Sequence, residues 1–118
     1  MRIQGSLPEI VRKAVERDVG RFCLGRVPPH IRDKIKIEYE IRSNSVTIFE
    51  CRPPWREDLG PEWTKGKVAQ LRYEDERWAI YSRDRNGHWH FYYLFEPTPD
   101  LSAALAEIDL DQTGIFWG

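Results

Sequence analysis

The sequence predicts a single α+β domain over residues 1–118, with an N-terminal helix, an antiparallel sheet of about five strands and a short C-terminal helix. Three patterns predict this fold. Apolar residues recur every three or four positions near both ends of the chain, which is the period of a helix. Between these regions, apolar and polar residues alternate in short runs, which is typical of strands with one solvated face. The third is length: a chain of 118 residues can build one hydrophobic core but is short for two.

The N-terminal helix is predicted to begin near Ser6. The run Ser6-Leu7-Pro8-Glu9 is a capping-box pattern, in which the serine accepts from a free amide and the glutamate reaches back. One helical face then carries Val11, Val15, Val19 and Phe22. Gly25 and the run Val27-Pro28-Pro29 indicate the end of the helix, because a proline disfavours helical backbone at the residue before it.

The next segment predicts a hairpin. Apolar and charged side chains alternate from Ile35 to Arg42, and Ser43-Asn44 is a credible two-residue turn because asparagine tolerates positive φ. The return strand is predicted over Val46–Cys51. In this register Glu50 lies opposite Ile37 on the apolar side, and we expect its carboxylate at the margin of the core.

Three further strands are predicted to form a meander: Val68–Tyr73, Trp78–Arg83 and His88–Leu94. Asp75-Glu76 and Asn86-Gly87 are predicted two-residue turns, and Asn-Gly is the strongest short hairpin signal in the chain. In that register the core face carries Leu71, Tyr73, Trp78, Ile80, Phe91 and Tyr93. The polar face carries Gln70, Arg72, Tyr81, Arg83, Arg85, His88, His90 and Tyr92. A slip of one residue would exchange the two faces of a strand, so both sets depend on the turns.

The C-terminal segment predicts a short helix and an apolar tail. Thr98 is predicted to cap the helix, with Pro99 at its first position. The apolar stripe of this helix consists of Leu101, Ala104, Leu105 and Ile108. We expect the tail Ile115-Phe116-Trp117 to dock on the core, with partner binding as the alternative. The run from Asp109 to Gly114 begins like a calcium loop but lacks the bidentate glutamate, so we expect no calcium site.

Composition excludes several classes of protein. Apolar residues make up 41% of the chain and charged residues 31%, which is typical of a globular protein and excludes a disordered one. No apolar run approaches the ~20 residues that cross a bilayer, and the start of the chain lacks a signal-peptide stretch. We therefore expect a cytoplasmic protein with no membrane partner. A net charge of −1 excludes the strongly basic footprint of many DNA-binding domains.

The sequence carries no recognisable catalytic or cofactor signature. Cys23 and Cys51 lack metal-ligand spacing and are expected to be free thiols. His88-Trp89-His90 places two imidazoles on one strand face, but no further ligand follows at a suitable spacing, so we expect no metal. No nucleophile elbow or glycine-rich phosphate loop is present, and we predict neither a cofactor nor a catalytic residue.

The polar sheet face is the predicted binding site. Arginines offer planar donors to anions, and tyrosines offer stacking surfaces to bases. The candidate residues are Arg72, Tyr81, Arg83, Arg85, His88, His90 and Tyr92. The leading hypothesis is a non-enzymatic module for an anionic partner such as single-stranded nucleic acid.

Three alternatives to this hypothesis stay open. One is a metal-independent ribonuclease, with His90 as acid or base and an arginine stabilising the transition state. Another is a protein-interaction module that uses the predicted loop from Arg52 to Lys65 or the C-terminal tail. The last is a merely solvated face, since tyrosine and arginine pair well on any exposed sheet. Nothing in the sequence sets the oligomeric state.

The chain also resembles a bacterial family known as domain of unknown function 3024. The resemblance is carried in order by Arg26-Val27-Pro28-Pro29-His30, Asn44-Ser45-Val46-Thr47, Arg52-Pro53-Pro54-Trp55, Val68-Ala69-Gln70-Leu71-Arg72-Tyr73, Arg83-Asp84-Arg85-Asn86-Gly87 with Trp89-His90, and Asp111 to Gly118. It spans nearly the whole chain. It implies a stand-alone bacterial cytoplasmic protein, and it supplies no activity, substrate or catalytic residue.

Overall fold

The computed structural model describes residues 5–118, so the first four residues of the predicted domain, and with them most of the N-terminal run that argues against a signal peptide, lie outside the described part. The helices are α1 (Glu9–Arg26) and α2 (Leu101–Leu110), and the strands are β1 (Lys36–Arg42), β2 (Ser45–Arg52), β3 (Thr64–Glu74), β4 (Arg77–Arg83) and β5 (Trp89–Phe91). The predicted α+β fold is confirmed.

The five strands form one antiparallel sheet in the order β1-β2-β3-β4-β5, so every strand pairs with its neighbour in sequence. Both helices pack on one face of this sheet. The core between them contains Val15, Val19, Val46, Ile48, Leu71, Trp78, Ile80, Ala104, Leu105, Ile108 and Phe116. The apolar faces predicted for the two helices therefore point at the sheet.

Both helix starts differ from the predictions. The N-cap of α1 is Pro8, whose carbonyl accepts from the Arg12 amide at 2.8 Å, and no side chain caps the helix. The predicted capping box is wrong, because Ser6 lies too far before the first turn. The N-cap of α2 is Asp100, whose carboxylate accepts from the amides of Ser102 and Ala103. The Thr98 hydroxyl instead accepts from the Asp100 amide, which precedes the first residue of the helix.

The first hairpin has the predicted register. Ile41 pairs with Val46 and Ile37 pairs with Glu50. The side chain of Glu50 is 28% exposed and forms an ion pair with Arg52 at 2.9 Å, which places it at the margin of the core as predicted. Further along, Ile48 pairs with Ala69 but Phe49 pairs with Lys67, so Val68 is an extra residue in β3, as in a β-bulge.

The β4–β5 hairpin has a different register from the one predicted. Tyr81 pairs with Phe91 and Ser82 with His90, a slip of one residue. Phe91 and Tyr93, predicted to be in the core, are 46% and 80% exposed, whereas Tyr92 is buried. The predicted faces of β5 are thus exchanged.

Asp84 explains the slip. Its carboxylate accepts from the backbone amides of Asn86 and His88, and its carbonyl accepts from the Gly87 amide at 3.0 Å. Gly87 has φ +81°, but Asn86 does not have positive φ, which a two-residue type I′ turn at Asn86-Gly87 requires. The loop is therefore a type I turn followed by a left-handed glycine, and it contains one residue more than predicted.

The C-terminal tail docks on the core as predicted. Phe116 is buried, and the Asp111 carboxylate accepts from the amides of Phe116 and Trp117 at 3.0 and 2.9 Å. The Trp117 indole also donates to the Ile108 carbonyl at 2.9 Å. Within residues 5–118, no helix has both the length and the apolar character needed to cross a membrane.

Candidate functional site: the open face of the sheet

The face of the sheet opposite the helices, called here the open face, is basic. The pairing of the strands directs there the cations Lys36, Arg42, Lys65, Lys67, Arg72, Arg77 and Arg83 and the carboxylates Glu38, Glu40 and Glu74. Lys65 and Lys67 reach this face because Val68 has no partner on β2, which shifts the alternation of β3 by one residue. The described strands thus carry seven cations and three carboxylates on this face, although the whole chain has a net charge of −1. The open face therefore carries a local excess of positive charge.

Arg72 and Tyr81 form the centre of the open face. The guanidinium carbon of Arg72 lies 3.8 Å from the centroid of the Tyr81 ring, and its Nε donates to Oε1 of Gln70 at 2.7 Å. Tyr81 also contacts the edge of Phe91, with 5.8 Å between ring centroids. The Arg72 side chain is therefore held in place while its two terminal nitrogens have no hydrogen-bond partner among residues 5–118.

Lys67, Arg83 and Trp89 extend this centre towards the β4–β5 loop. Lys67 donates to the Gly87 carbonyl at 3.1 Å and lies 5.5 Å from the Trp89 ring centroid. Arg83 donates through Nε to the Lys67 carbonyl and through one terminal nitrogen to the Asp84 carbonyl. These backbone contacts fix two cations beside an aromatic ring.

Only part of the predicted site lies together. Arg72, Tyr81 and Arg83 share the open face as predicted, whereas Arg85 and His88 are in the exposed loop between β4 and β5. His90 and Tyr92 are on the helix-covered side because of the register slip. Their predicted position beside Tyr81 is wrong.

Tyr92 has a structural role instead. Its hydroxyl donates to Oε2 of Glu107 on α2 at 2.8 Å, and its ring packs on Phe116 with 5.0 Å between centroids. Burial and then the hydrogen bond with Glu107 raise the pKa of Tyr92. Tyr92 thus anchors the end of β5 to the helix layer.

Sequence reasoning missed Lys67, Trp89 and Phe91. The predicted turn is one residue too short, so the predicted register places Phe91 in the core and gives Trp89 no role. Lys67 precedes the predicted start of the third strand, which the structure begins at Thr64 rather than Val68. The alternation of Lys65 and Lys67 with smaller residues is a signal that extends the strand, but by itself it puts both lysines on the face of Ala69. Only the unpaired residue Val68 turns them to the open face, and no sequence pattern marks it.

His88 and His90 both contact Asp84. Nε2 of His90 lies 2.8 Å, and Nδ1 of His88 3.5 Å, from Oδ2 of Asp84. The hydrogen bond with His90, and then the His88 amide, hold the pKa of Asp84 well below its usual range. Within the described part of the chain, no group of three or more histidine, cysteine or acidic side chains is placed to hold a metal ion.

The cysteines offer no reactive thiol. Both Cys23 and Cys51 are buried and free. Burial, and then the nearby Glu38 carboxylate, raise the pKa of Cys23 to about 12, and burial also raises the pKa of Cys51. Because the thiolate is the nucleophilic form, these cysteines are suited to packing.

The sheet is curved, so that the open face contains a groove. Glu40 on β1 and Trp89 on β5 line one hollow of about 330 Å³, although the first and fifth strands of a flat sheet lie about 19 Å apart. The extra residue Val68 in β3, opposite Ile48 and Phe49, adds to this curvature. The lining combines polar and aromatic side chains, including Thr47, Gln70 and the ring of Phe49.

A larger hollow of about 440 Å³ lies between α1 and α2, away from this face. Phe22, Leu105 and Ala106 contribute its apolar lining. Among its charged residues, Arg26 is engaged by Asp109 and by the Trp117 ring, 4.1 Å from its guanidinium. The Arg26 guanidinium therefore holds α1, α2 and the tail together. We place the candidate site on the open face instead.

The fold and the open face together define an α+β domain with a curved antiparallel sheet, helices on one side and a basic, aromatic surface on the other. Residues 7–118 match the family described as Domain of unknown function (DUF3024), and the chain belongs to that family. No curated protein and no solved structure matches the chain.

Proposed function

We propose that this protein is a non-enzymatic binding module that engages single-stranded nucleic acid through its open face, in the cytoplasm of a bacterium. The observation that carries the proposal is the coexistence of seven cations with the rings of Phe49, Tyr81, Trp89 and Phe91 on one surface. Such a surface attracts a phosphate backbone over long range and offers stacking partners to bases.

The shape of the surface favours a single strand over a duplex. Reading duplex DNA in its major groove requires a protruding helix or ribbon, whereas the open face is concave. Unstacked bases of a single strand can lie against a sheet and contact its aromatic side chains. Arg72 and Arg83 keep terminal N–H donors available at the rim of the rings, where phosphates would lie.

The alternatives receive less support from the geometry. In a ribonuclease, His90 and an arginine would need to reach the same phosphate, but His90 lies on the side away from Arg72. In a protein-interaction module, the tail would need to be free, but Phe116 is buried. Trp55 in the loop after β2 is 80% exposed, and it is the best anchor for a protein partner.

Fluorescence anisotropy of labelled single-stranded RNA, single-stranded DNA and duplex DNA tests the proposal. We expect single strands to bind more tightly than duplex, with an affinity that falls as salt rises. The double variant Arg72→Gln/Arg83→Gln should lower the affinity roughly tenfold or more, since it removes two charge-assisted contacts. It should also reduce the slope of log affinity against log salt by about 1.4, or about 0.7 for each lost phosphate contact.

The matched control is Arg12→Gln/Arg21→Gln, which removes the same charge from the exposed surface of α1. If both double variants weaken binding equally, attraction to the net charge explains the result and the open face is not the site. Denaturing gels of the same samples in EDTA would show shortened RNA if the protein is a ribonuclease. No binding to any strand would reject the proposal.

A further inference from the structure

Three side chains on the open face form a directed chain of hydrogen bonds. Nε of Arg72 donates to Oε1 of Gln70 at 2.7 Å, and Nε2 of Gln70 donates to Oγ1 of Thr47 at 2.9 Å. Thr47 and Gln70 are direct cross-strand partners on β2 and β3. The chain therefore runs from the centre of the open face into the groove.

The direction of this chain is fixed by chemistry. A guanidinium can only donate, so the amide oxygen of Gln70 must face Arg72 and the amide nitrogen must face Thr47. This requirement settles the orientation of the Gln70 amide, which heavy-atom positions alone leave ambiguous. Stacking on Tyr81 at 3.8 Å keeps Arg72 in place and so keeps the whole chain oriented.

The last member of the chain has a proton to give. The Thr47 hydroxyl already accepts from Gln70, and its own hydrogen has no acceptor among residues 5–118. The second amide hydrogen of Gln70 also has no acceptor among residues 5–118. Both side chains line the groove, so its floor presents hydrogen-bond donors.

The surroundings of these donors suit one nucleotide. The groove volume of about 330 Å³ is at the lower end of the range for small-molecule sites. The rings of Phe49 and Trp89 line it, as do the cations Arg42 and Lys67, so a flat base and an attached phosphate both find complementary groups.

We infer that this groove is a base-reading subsite that selects uracil over cytosine in a bound strand, an inference that rests on the proposed function. The two bases differ at position 4, where uracil presents a carbonyl acceptor, as thymine does, and cytosine an amino donor. The Thr47 hydroxyl and the Gln70 amide can both donate to the carbonyl. The amino group finds only the second lone pair of the Thr47 hydroxyl, and it opposes the Gln70 donor. Selectivity then follows from the orientation that Arg72 imposes.

The test compares fluorescein-labelled oligouridylate and oligocytidylate of equal length in anisotropy titrations at one salt concentration. We expect the full chain to bind oligouridylate about fivefold more tightly or better. Thr47→Val keeps the shape of the side chain and should lower this ratio, since only the Gln70 donors then remain in the groove. Thr47→Ser, which keeps the hydroxyl, should preserve the ratio.

A second variant reverses the direction of the hydrogen bond between residue 70 and Thr47. In Gln70→Glu the new carboxylate accepts from both Arg72 and the Thr47 hydroxyl, so Thr47 then presents only lone pairs to the groove. The added negative charge lowers affinity for both oligonucleotides, but the ratio should shift towards oligocytidylate. Thermal unfolding followed by circular dichroism checks that each variant is folded.

Equal binding of the two oligonucleotides by the full chain overturns the inference, as does an unchanged ratio in Thr47→Val. Either result leaves the proposed function intact if binding still depends on Arg72 and Arg83. Absence of binding to both oligonucleotides and to every mixed-sequence strand rejects the proposed function and this inference with it.

Discussion

Arg72 lies over the ring of Tyr81, with 3.8 Å between the guanidinium carbon and the ring centroid. The same guanidinium donates to Gln70, so Arg72 is bound by two neighbours on the open face. A planar, delocalised cation can satisfy both contacts at once, whereas a lysine ammonium is a point charge on a flexible stem. Arginine at this position therefore does more than supply charge.

Arg72→Lys should retain the charge and lose the geometry. We expect the free energy of unfolding to fall by about 0.5–1 kcal/mol, the value of an exposed cation–π contact. Urea denaturation measures this change. Arg85→Lys is the control, since Arg85 is exposed in the β4–β5 loop, and it should change stability by less than ~0.5 kcal/mol. Equal effects of the two substitutions would show that the Tyr81 contact contributes nothing.

Asp111 should be the residue on which docking of the tail depends. Its carboxylate accepts from two backbone amides of the tail, at Phe116 and Trp117. Asp111→Ala leaves both amides without this partner, and we expect a loss of about 1–3 kcal/mol of stability. The Trp117 ring should also become more exposed. Its emission, taken as the difference between spectra recorded with and without Trp117→Phe, should shift towards that of a solvated indole.

The control for Asp111 is Asp109→Ala in the same segment. Asp109 makes an exposed ion pair with Arg26, and such pairs contribute about 0–1 kcal/mol. If Asp111→Ala is as mild as Asp109→Ala, the hydrogen bonds from the Phe116 and Trp117 amides to Asp111 do not hold the tail. A change in molecular mass without a loss of stability on removal of the tail would instead indicate an interface between chains.

Periodicity was sufficient to predict the fold. The spacing of Val15 and Val19, and the alternation around Ile37 and Ile41, report which side chains face the core, and burial of apolar surface dominates folding. The predicted face of Arg72, Tyr81 and Arg83 is correct because these residues precede the loop whose length differs from the prediction.

The face of β5 could not be predicted in the same way. It depends on the length of one loop, and that length is set by side-chain bonds from Asp84 to the Asn86 and His88 amides. Such local bonds compete with the turn that Asn-Gly favours, and no hydrophobic pattern reports them. One additional residue in the loop therefore places Phe91, and not Tyr92, on the open face.

Asp84 also makes the stability of this loop dependent on pH. The hydrogen bond with His90 and the amides of His88 and Asn86 lower the pKa of Asp84 in the folded chain. The unfolded chain therefore binds a proton at Asp84 at higher pH than the folded chain does. The stabilisation is fully present above the ordinary carboxyl value of about 3.9 and is lost as pH falls below it.

Asp84→Asn should consequently lower stability at about pH 6 and have a smaller effect at about pH 3. Urea midpoints at the two pH values measure the difference. Asp33→Asn, at an exposed carboxylate outside the sheet, is the control for the loss of one surface charge. A carboxyl NMR titration of Asp84 with a midpoint at the ordinary value would contradict the prediction.

Two glycines should respond to alanine in opposite directions. Gly87 has φ +81° in the loop that sets the register of β5, and a side chain there is strained even though the nearest atom to a new Cβ is Lys67 Nζ at 3.8 Å. Gly20 lies within α1, where a new Cβ would meet only the Tyr39 ring at 3.9 Å, an ordinary contact.

Gly87→Ala should therefore destabilise the protein by about 1 kcal/mol or more, and Gly20→Ala should stabilise it by about 0.5–1 kcal/mol. Thermal unfolding measures both. If the loop instead relaxes to a two-residue type I′ turn, alanine would be strained there too. The register of β5 would then shift by one residue, and Tyr92 would become exposed. Hydrogen exchange of the Tyr92 amide, which donates to the Ile80 carbonyl at 2.9 Å, separates strain within the observed register from such a slip: retained protection indicates strain, and lost protection indicates a change of register.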